Sequence, residues 1–322
     1  MPYNSSPIAK LFWSFLLLLL CLCQLSLGSE NGSSTTFPPT IQIVILVHPY
    51  NKAFYLPYLL GSLEEQIYPK DRLRLHLLTE RIFYEESYFE SLGAGAGAYL
   101  DGNDARFEVL DERIRANDES IEMLRRWTRQ QRPLYNELEL TVSNVRLSEH
   151  LFNTEPSGGK YWTVERYKLL IDSKNQELYG AFTSWADFVL FLDADVVLTE
   201  PYTLANLTAR FEEDRERVVM APLLYSTGTY SNFWGGMDGK GYYVRTEQYL
   251  PILERKEELG TFPVPMVNTA VLIDARKRLS RRLTFDPVEV EDSVTADGRH
   301  TIPYDDIIAF AKSAHAVSVD TL

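Results

Sequence analysis

The sequence is poor in cysteine. Its 322 residues include two cysteines, Cys21 and Cys23, and both lie close to the N-terminus. From residue 24 onward the fold cannot be held by disulfides, so its stability has to come from a hydrophobic core. The hydrophobic content of 45% and the charged content of 24% are ordinary for a globular protein. This composition excludes a wholly disordered, collagen-like or multi-pass membrane protein.

Basic residues are also scarce relative to acidic ones. The chain has 32 lysines and arginines against 45 aspartates and glutamates, which gives a formal net charge of −13. Proteins that bind nucleic acids hold the phosphates mainly with lysine and arginine. We therefore expect no nucleic-acid partner.

A long hydrophobic run is absent as well. The apolar run at residues 11–23 is shorter than the roughly 20 residues that span a bilayer. With the small residues before Ser29 it predicts a signal peptide over 1–28, followed by a linker over 29–40. We expect a protein of the endoplasmic-reticulum lumen or secretory pathway without a stable transmembrane span, with glycosylation sequons at Asn31 and Asn206. A retained signal anchor and a buried N-terminal helix are the alternatives.

The pattern after residue 40 predicts an α/β fold. Residues 41–47 form a nearly continuous β-branched run, typical of a strand that is buried on both faces of a parallel sheet. A helical pattern over 55–66 and a second strand over 73–78 complete a βαβ unit. The low-complexity segment within 81–115 predicts an inserted, mobile loop. One domain is expected over 41–322, with further helices over 120–130 and 163–182 and strands over 138–145 and 188–192.

Two aspartates follow the short apolar strand 188–192. In open α/β sheets, ligands bind beyond the carboxyl ends of the strands, and residues two apart on an extended chain point the same way. Asp193 and Asp195 would thus present two carboxylates that repel each other unless a cation lies between them. This indicates a metal site for Mn²⁺ or Mg²⁺ that clamps a nucleotide diphosphate. The alternative is a solvated turn in which Asp195 caps a helix.

The region around these aspartates resembles the Asp-x-Asp region of GT-A glycosyltransferases. Further blocks, taken in order, resemble the N-terminal half of the procollagen galactosyltransferase family, also known as the glycosyltransferase 25 family. These blocks are 57–64 (PYLLGSLE), 161–166 (YWTVER), 219–222 (VMAP), 230–235 (YSNFWG), 241–246 (GYYVRT), 264–267 (VPMV) and 305–308 (DDII). The resemblance implies a GT-A fold, a Rossmann-like mixed sheet with helices on both faces.

The resemblance also implies an activity. The expected reaction transfers galactose from UDP-galactose to hydroxylysine of collagen or procollagen, with Mn²⁺ bound by Asp193 and Asp195. An α-linked donor and a β-linked product mean that the sugar carbon is inverted, which requires one general base for the acceptor hydroxyl. Asp305 and Asp306 are the candidates, and their alternative role is that of acids favoured by a helix N-terminus.

Three more residues are candidates for binding the nucleotide sugar. Tyr230 and Trp234 could stack on the sugar or the uracil, although an aromatic cluster is more often part of a core. Glu80, just after the second strand, could contact the nucleoside.

The sequence departs from the family pattern at several points. Tyr225 stands where an aspartate is expected, Asn268 where a histidine is expected, and Glu80 lies in a segment without the family's Asp-His-Asn run. The family's second glycosyltransferase-like domain is not expected within these 322 residues. The alternative to an active enzyme is a catalytically inactive relative that acts in cell adhesion or collagen binding.

Overall fold

The computed structural model describes residues 37–47, 54–83, 105–146, 164–214, 216–226, 231–234, 236–237, 243–245, 247, 249–254, 260–287 and 306–319. The predicted signal peptide, most of the linker, Asn31, Tyr230 and Asp305 lie outside these residues. The compact unit that contains the strands and helices extends from Pro39 to Leu322.

Ten strands and six helices form the described part of this unit. The strands are β1 (Ile41–Val47), β2 (Leu73–Phe83), β3 (Glu137–Arg146), β4 (Phe188–Asp193), β5 (Val219–Met220), β6 (Phe233–Trp234), β7 (Gly236–Met237), β8 (Tyr243–Val244), β9 (Met266–Val267) and β10 (Ala270–Asp274). The helices are α1 (Leu56–Glu64), α2 (Ala105–Gln131), α3 (Val164–Thr183), α4 (Thr203–Glu213), α5 (Tyr249–Leu253) and α6 (Asp306–Val319). Short 3₁₀ helices cover Lys70–Arg72 and Leu279–Arg282.

Six strands make one mixed sheet in the order β3-β2-β1-β4-β10-β5. Strands β1 to β4 are parallel, whereas β10 runs antiparallel to both β4 and β5. The strands β6 and β9 form a separate ribbon, and β7 pairs with β8. The predicted α/β class with a GT-A type mixed sheet is confirmed.

Helices cover both faces of the sheet because the central strands are apolar on both sides. On one face Ile43, Leu75 and Leu190 belong to a core with α1, α2 and α4. On the other face Val44 and Phe191 pack in a core with side chains of α3 and α6. These strand residues are at most 5% exposed, and each fully buried aliphatic or aromatic side chain contributes about 1.5–3 kcal/mol.

The prediction for 81–115 is wrong at both ends of the segment. Strand β2 continues to Phe83 because β3 pairs with it up to Arg146, so the backbone bonds of 81–83 are satisfied in the sheet. Helix α2 begins at Ala105, well before the expected start near Ser120, and its first turns contain arginine and glutamate, which are good helix formers. Residues 84–104 of the predicted loop lie outside the described residues.

Among the described residues, no helix is both long and apolar enough to cross a membrane.

Candidate active site

The two aspartates of the predicted metal motif lie where strand β4 ends. Asp193 is the last residue of β4 and pairs in register with Leu46 of β1, while Asp195 is in the turn that follows. Asp193 is half-buried and Asp195 is exposed to solvent. The motif is therefore at the carboxyl edge of the parallel strands, where ligands of such sheets bind.

The backbone beside this motif is held by the segment that leads into β10. The N–H of Asp193 donates to the carbonyl of Thr269 at 2.8 Å. Thr269 has a φ of 67°, in the left-handed region, which costs a β-branched residue about 1–3 kcal/mol. Such strain persists where the surrounding structure imposes it, and here it lies directly against the Asp-x-Asp motif.

Asn268 precedes this strained residue and is 4% exposed. Its N–H donates to the carbonyl of Asn232 at 2.8 Å, and its side-chain oxygen accepts a hydrogen bond from the Thr269 hydroxyl at 2.8 Å. The departure from the family pattern at residue 268 thus falls within the candidate site. The sequence reasoning marked Asn268 but missed Thr269, since nothing in a Val-Asn-Thr-Ala stretch signals a positive φ.

Trp234 lies on the ribbon that connects to this segment. It pairs with Met266 across β6 and β9, and Met266 is three residues before Thr269 in the chain. Its ring is stacked on Tyr249, with centroids 6.0 Å apart and an angle of 24°, and Phe233 contacts the same tyrosine. Trp234 is only half-buried, so it belongs to an aromatic cluster and still has exposed surface.

Glu80 lies at the same edge of the sheet, on the other side of β1. Thr79 pairs with Val47, the last residue of β1, so Glu80 is one residue beyond that strand's end. Asn117 of α2 donates to the backbone carbonyl of Glu80 at 2.8 Å. Two strand spacings, about 10 Å, separate the β2 and β4 positions. Glu80 and Asp193 thus lie at the same edge of the sheet on opposite sides of β1.

Asp306 is in a different setting from the other candidates. It is the first residue of α6 and 4% exposed, and its carboxylate is 2.6 Å from the Lys174 ammonium of α3. A general base has to be reached by the hydroxyl from which it takes a proton. The burial and the ion pair of Asp306 favour the alternative role, an acid at a helix N-terminus that ties α6 to α3.

Residues 100–321 match a family model that is described as "Glycosyltransferase family 25, N-terminal domain". A glycosyltransferase 25 family member of Drosophila pseudoobscura pseudoobscura is 33% identical over 317 residues, which cover 96% of this chain and 44% of that protein. Procollagen galactosyltransferase 1-A of Xenopus laevis is 34% identical over 94% of this chain and 41% of its own length. Human procollagen galactosyltransferase 2 is 31% identical over 97% of this chain and 44% of its own length.

The solved structures that match this chain share less sequence with it. The mannosyltransferase PcManGT from Pyrobaculum calidifontis has a TM-score of 0.35 at 15% identity, covering 77% of this chain and 47% of that one. S. aureus TarS 1–349 has a TM-score of 0.38 at 15% identity, and the match covers 85% of this chain and 55% of that one. The chain spans less than half the length of the curated relatives named above. With more than half of its residues matched by the family model, the chain belongs to glycosyltransferase family 25.

Proposed function

We propose that this chain is a glycosyltransferase that transfers galactose from UDP-galactose to hydroxylysine of collagen or procollagen, with inversion at the sugar carbon. The observation that carries this proposal is the position of Asp193 and Asp195 at the carboxyl end of β4. Two of the relatives named above are called procollagen galactosyltransferases, which supports the choice of donor sugar and acceptor. We place the reaction in the endoplasmic-reticulum lumen because of the predicted signal peptide.

Asp193 and Asp195 would hold the divalent ion that the reaction requires. Their donor atoms are carboxylate oxygens, one residue half-buried and the other exposed, which suits a hard ion such as Mn²⁺ or Mg²⁺ that also binds substrate phosphates. When bound, the ion supplies Lewis-acid stabilisation of the charge on the departing diphosphate. The hydrogen bond from the Asp193 N–H to Thr269 fixes the backbone of the motif before substrate binds.

The other candidate residues have separate roles in the proposed reaction. Trp234 contacts the sugar or uracil with its exposed surface, together with Tyr230, and Glu80 contacts the nucleoside. Asp305 is retained as the general base. Asp306, buried against Lys174 at 2.6 Å, is assigned a structural role.

A second candidate function is that of a catalytically inactive relative that binds collagen or acts in adhesion. It is favoured by the residue at position 268, because asparagine replaces an expected histidine beside the metal motif and its oxygen is already bonded to Thr269. In that case the chain would bind no nucleotide sugar.

The test is transfer of galactose from UDP-galactose to a hydroxylysine-containing collagen peptide in the presence of Mn²⁺. The double variant Asp193→Asn/Asp195→Asn is expected to lose transfer entirely while it remains folded. A matched control is Asp71→Asn, which alters an exposed carboxylate just before β2, at the opposite edge of the sheet, and is expected to retain full activity.

Full activity of the double variant would refute the assignment of the metal motif. Calorimetry with UDP-galactose and Mn²⁺ separates the two candidate functions, since absence of binding at millimolar ligand supports the inactive relative. A panel of UDP-sugars scored by hydrolysis identifies the donor, and a preference for another sugar would refute the choice of galactose.

A further inference from the structure

On the face of the sheet that α3 covers, polar side chains lie near the amino ends of β1, β2 and β3. On β1, β2 and β3 the residues that alternate toward α3 include Gln42, His76 and Glu137, and Glu177 reaches them from α3. Gln42 is 1% exposed, and the His76 side chain is 12% exposed. Burying polar groups is costly unless they are partnered, so each atom of this cluster should have an identifiable partner.

Glu177 determines the orientation of His76. Its Oε2 accepts hydrogen bonds from His76 Nδ1 at 2.7 Å and from Gln42 Nε2 at 3.0 Å. Because a carboxylate only accepts hydrogen bonds, Nδ1 carries the proton, and in the neutral ring Nε2 then has the free lone pair. A histidine whose second nitrogen is held by a carboxylate is the usual arrangement around protein-bound zinc.

The lone pair of His76 faces two further carboxylates. Nε2 is buried and has no hydrogen-bond partner among the described residues. The nearest carboxylate oxygen, Glu137 Oε1, is 3.6 Å away, which is too long for a hydrogen bond. Ligand atoms of His76, Glu137 and Glu139 all lie within 4.8 Å of one another. Ligands about 2.0–2.1 Å from a tetrahedral ion are about 3.4 Å apart, so the observed spacing leaves room for an ion.

The other oxygen of Glu137 is held in place by an arginine. Arg74 Nε donates to Glu137 Oε2 at 2.6 Å, and Arg74 Nη1 donates to Gln42 at 3.0 Å. This interaction leaves Oε1 directed at His76. Arg74 and Glu177 therefore orient the two side chains from opposite sides.

We propose that His76 Nε2 and the carboxylates of Glu137 and Glu139 bind a divalent transition-metal ion of the Zn²⁺ class. Glu139 is exposed, so water completes the coordination. An imidazole ligand favours zinc over the harder Mn²⁺ and Mg²⁺. The site is distinct from Asp193 and Asp195, because β1 separates β2 from β4 in the sheet.

A proton is the competing occupant of Nε2. Burial would lower the pKa of His76, but the hydrogen bond and the negative charge of Glu177 outweigh burial, so the pKa lies above its ordinary value. The cluster therefore attracts positive charge in either form, and the experiment has to distinguish a metal ion from a proton.

The test measures zinc binding by calorimetry and cobalt binding by visible absorption, using the full chain after removal of metals with a chelator. It is carried out in the Asp193→Asn/Asp195→Asn background, so that the candidate active site does not contribute. We expect one zinc ion per chain, and a cobalt spectrum of low coordination number. Glu177→Gln should weaken zinc binding about 10–100-fold, and Glu139→Gln and His76→Gln should weaken it at least as much.

Glu139→Gln is the decisive variant, because an exposed side chain can be changed without unfolding the protein. The matched control Glu65→Gln, at another exposed glutamate, should bind zinc as the parent does. Absence of zinc binding in the parent, or equal binding in Glu139→Gln and Glu65→Gln, would overturn the proposal and identify a protonated His76. Either outcome is independent of galactose transfer.

Discussion

The inner and outer halves of the sheet differ on the face that α3 covers. In the inner half, β1, β4 and β10 present apolar side chains there, namely Val44, Val189, Phe191, Val271 and Ile273, while Gln42 near the start of β1 contacts Glu177. In the outer half, β2 and β3 present Arg74, His76, Glu137 and Glu139 at the corresponding positions. Helix α3 thus packs against a hydrophobic core along one part of its length and against a polar network along another part.

The position of the carboxylates explains what each half can do. In the inner half Asp193 is the last residue of β4 and Asp195 lies in the turn that follows, where substrate and solvent have access. In the outer half Glu137 and Glu139 belong to β3, and Glu137 is held by Arg74 at 2.6 Å. The inner half therefore suits a site that exchanges ligands, and the outer half suits one permanently bound ion.

Phe191→Ala should have the largest effect on stability. Phe191 is 5% exposed and meets the ring of Phe285 edge-on, with centroids 5.1 Å apart. Truncation leaves a cavity in the inner core, and we expect a loss of about 4 kcal/mol in the free energy of unfolding, measured by urea denaturation. The control Thr141→Ala, at an exposed position of β3, should change it by no more than about 0.5 kcal/mol. Equal losses would mean that the two halves are packed alike.

Asp306→Asn should cost somewhat less, about 3 kcal/mol, because it removes the carboxylate that neutralises the Lys174 ammonium in a site where the lysine side chain is 14% exposed. The double variant Lys174→Met/Asp306→Leu removes both charges and should recover most of this loss. Galactose transfer by folded Asp306→Asn should remain near that of the parent. Loss of transfer without loss of stability would instead make Asp306 the general base.

The sequence predicts strands in both halves, but it does not predict the full length of β2 or the polar contacts of the outer half. Continuous β-branched runs such as 41–47 occur in strands buried on both faces, so β1, β4 and the location of Asp193 could be predicted. The extension of β2 to Phe83 depends on pairing with β3, a tertiary interaction without a local signal.

The roles of individual site residues also depend on tertiary contacts that have no local signal in the sequence. Asp305 and Asp306 are chemically identical in the sequence, and only the packing of α6 against α3 distinguishes Asp306 as the partner of Lys174. The cluster at His76 could not be predicted either, because its members come from β2, β3 and α3 and have no spacing along the chain that indicates a metal site. The strain at Thr269 depends on the connection between β9 and β10.

Glu177→Gln should cost about 1–2 kcal/mol in the metal-free protein. The change removes the charge that accepts hydrogen bonds from His76 and Gln42 at 2.7 and 3.0 Å, and hydrogen bonds to charged groups contribute about 1.5–3 kcal/mol each. The amide keeps one acceptor, so part of the interaction survives. Asp172→Asn, at an exposed position of the same helix, is the control. Equal stability of both variants would mean that the polar network of the outer half contributes nothing to folding.

Glu213→Gln should have the smallest effect on the free energy of unfolding. It gives the loss expected for an exposed ion pair, with which the losses in both halves of the sheet can be compared. Arg210 Nη1 contacts both oxygens of Glu213 at 2.9 and 3.0 Å, but both side chains are about half exposed on α4. Solvent and salt screen such pairs, so we expect a loss below about 0.5 kcal/mol, which 0.5 M salt abolishes. The buried pair of Lys174 and Asp306 should keep its contribution in the same salt. If salt weakened both pairs equally, the burial of Asp306 would not explain its contribution to stability.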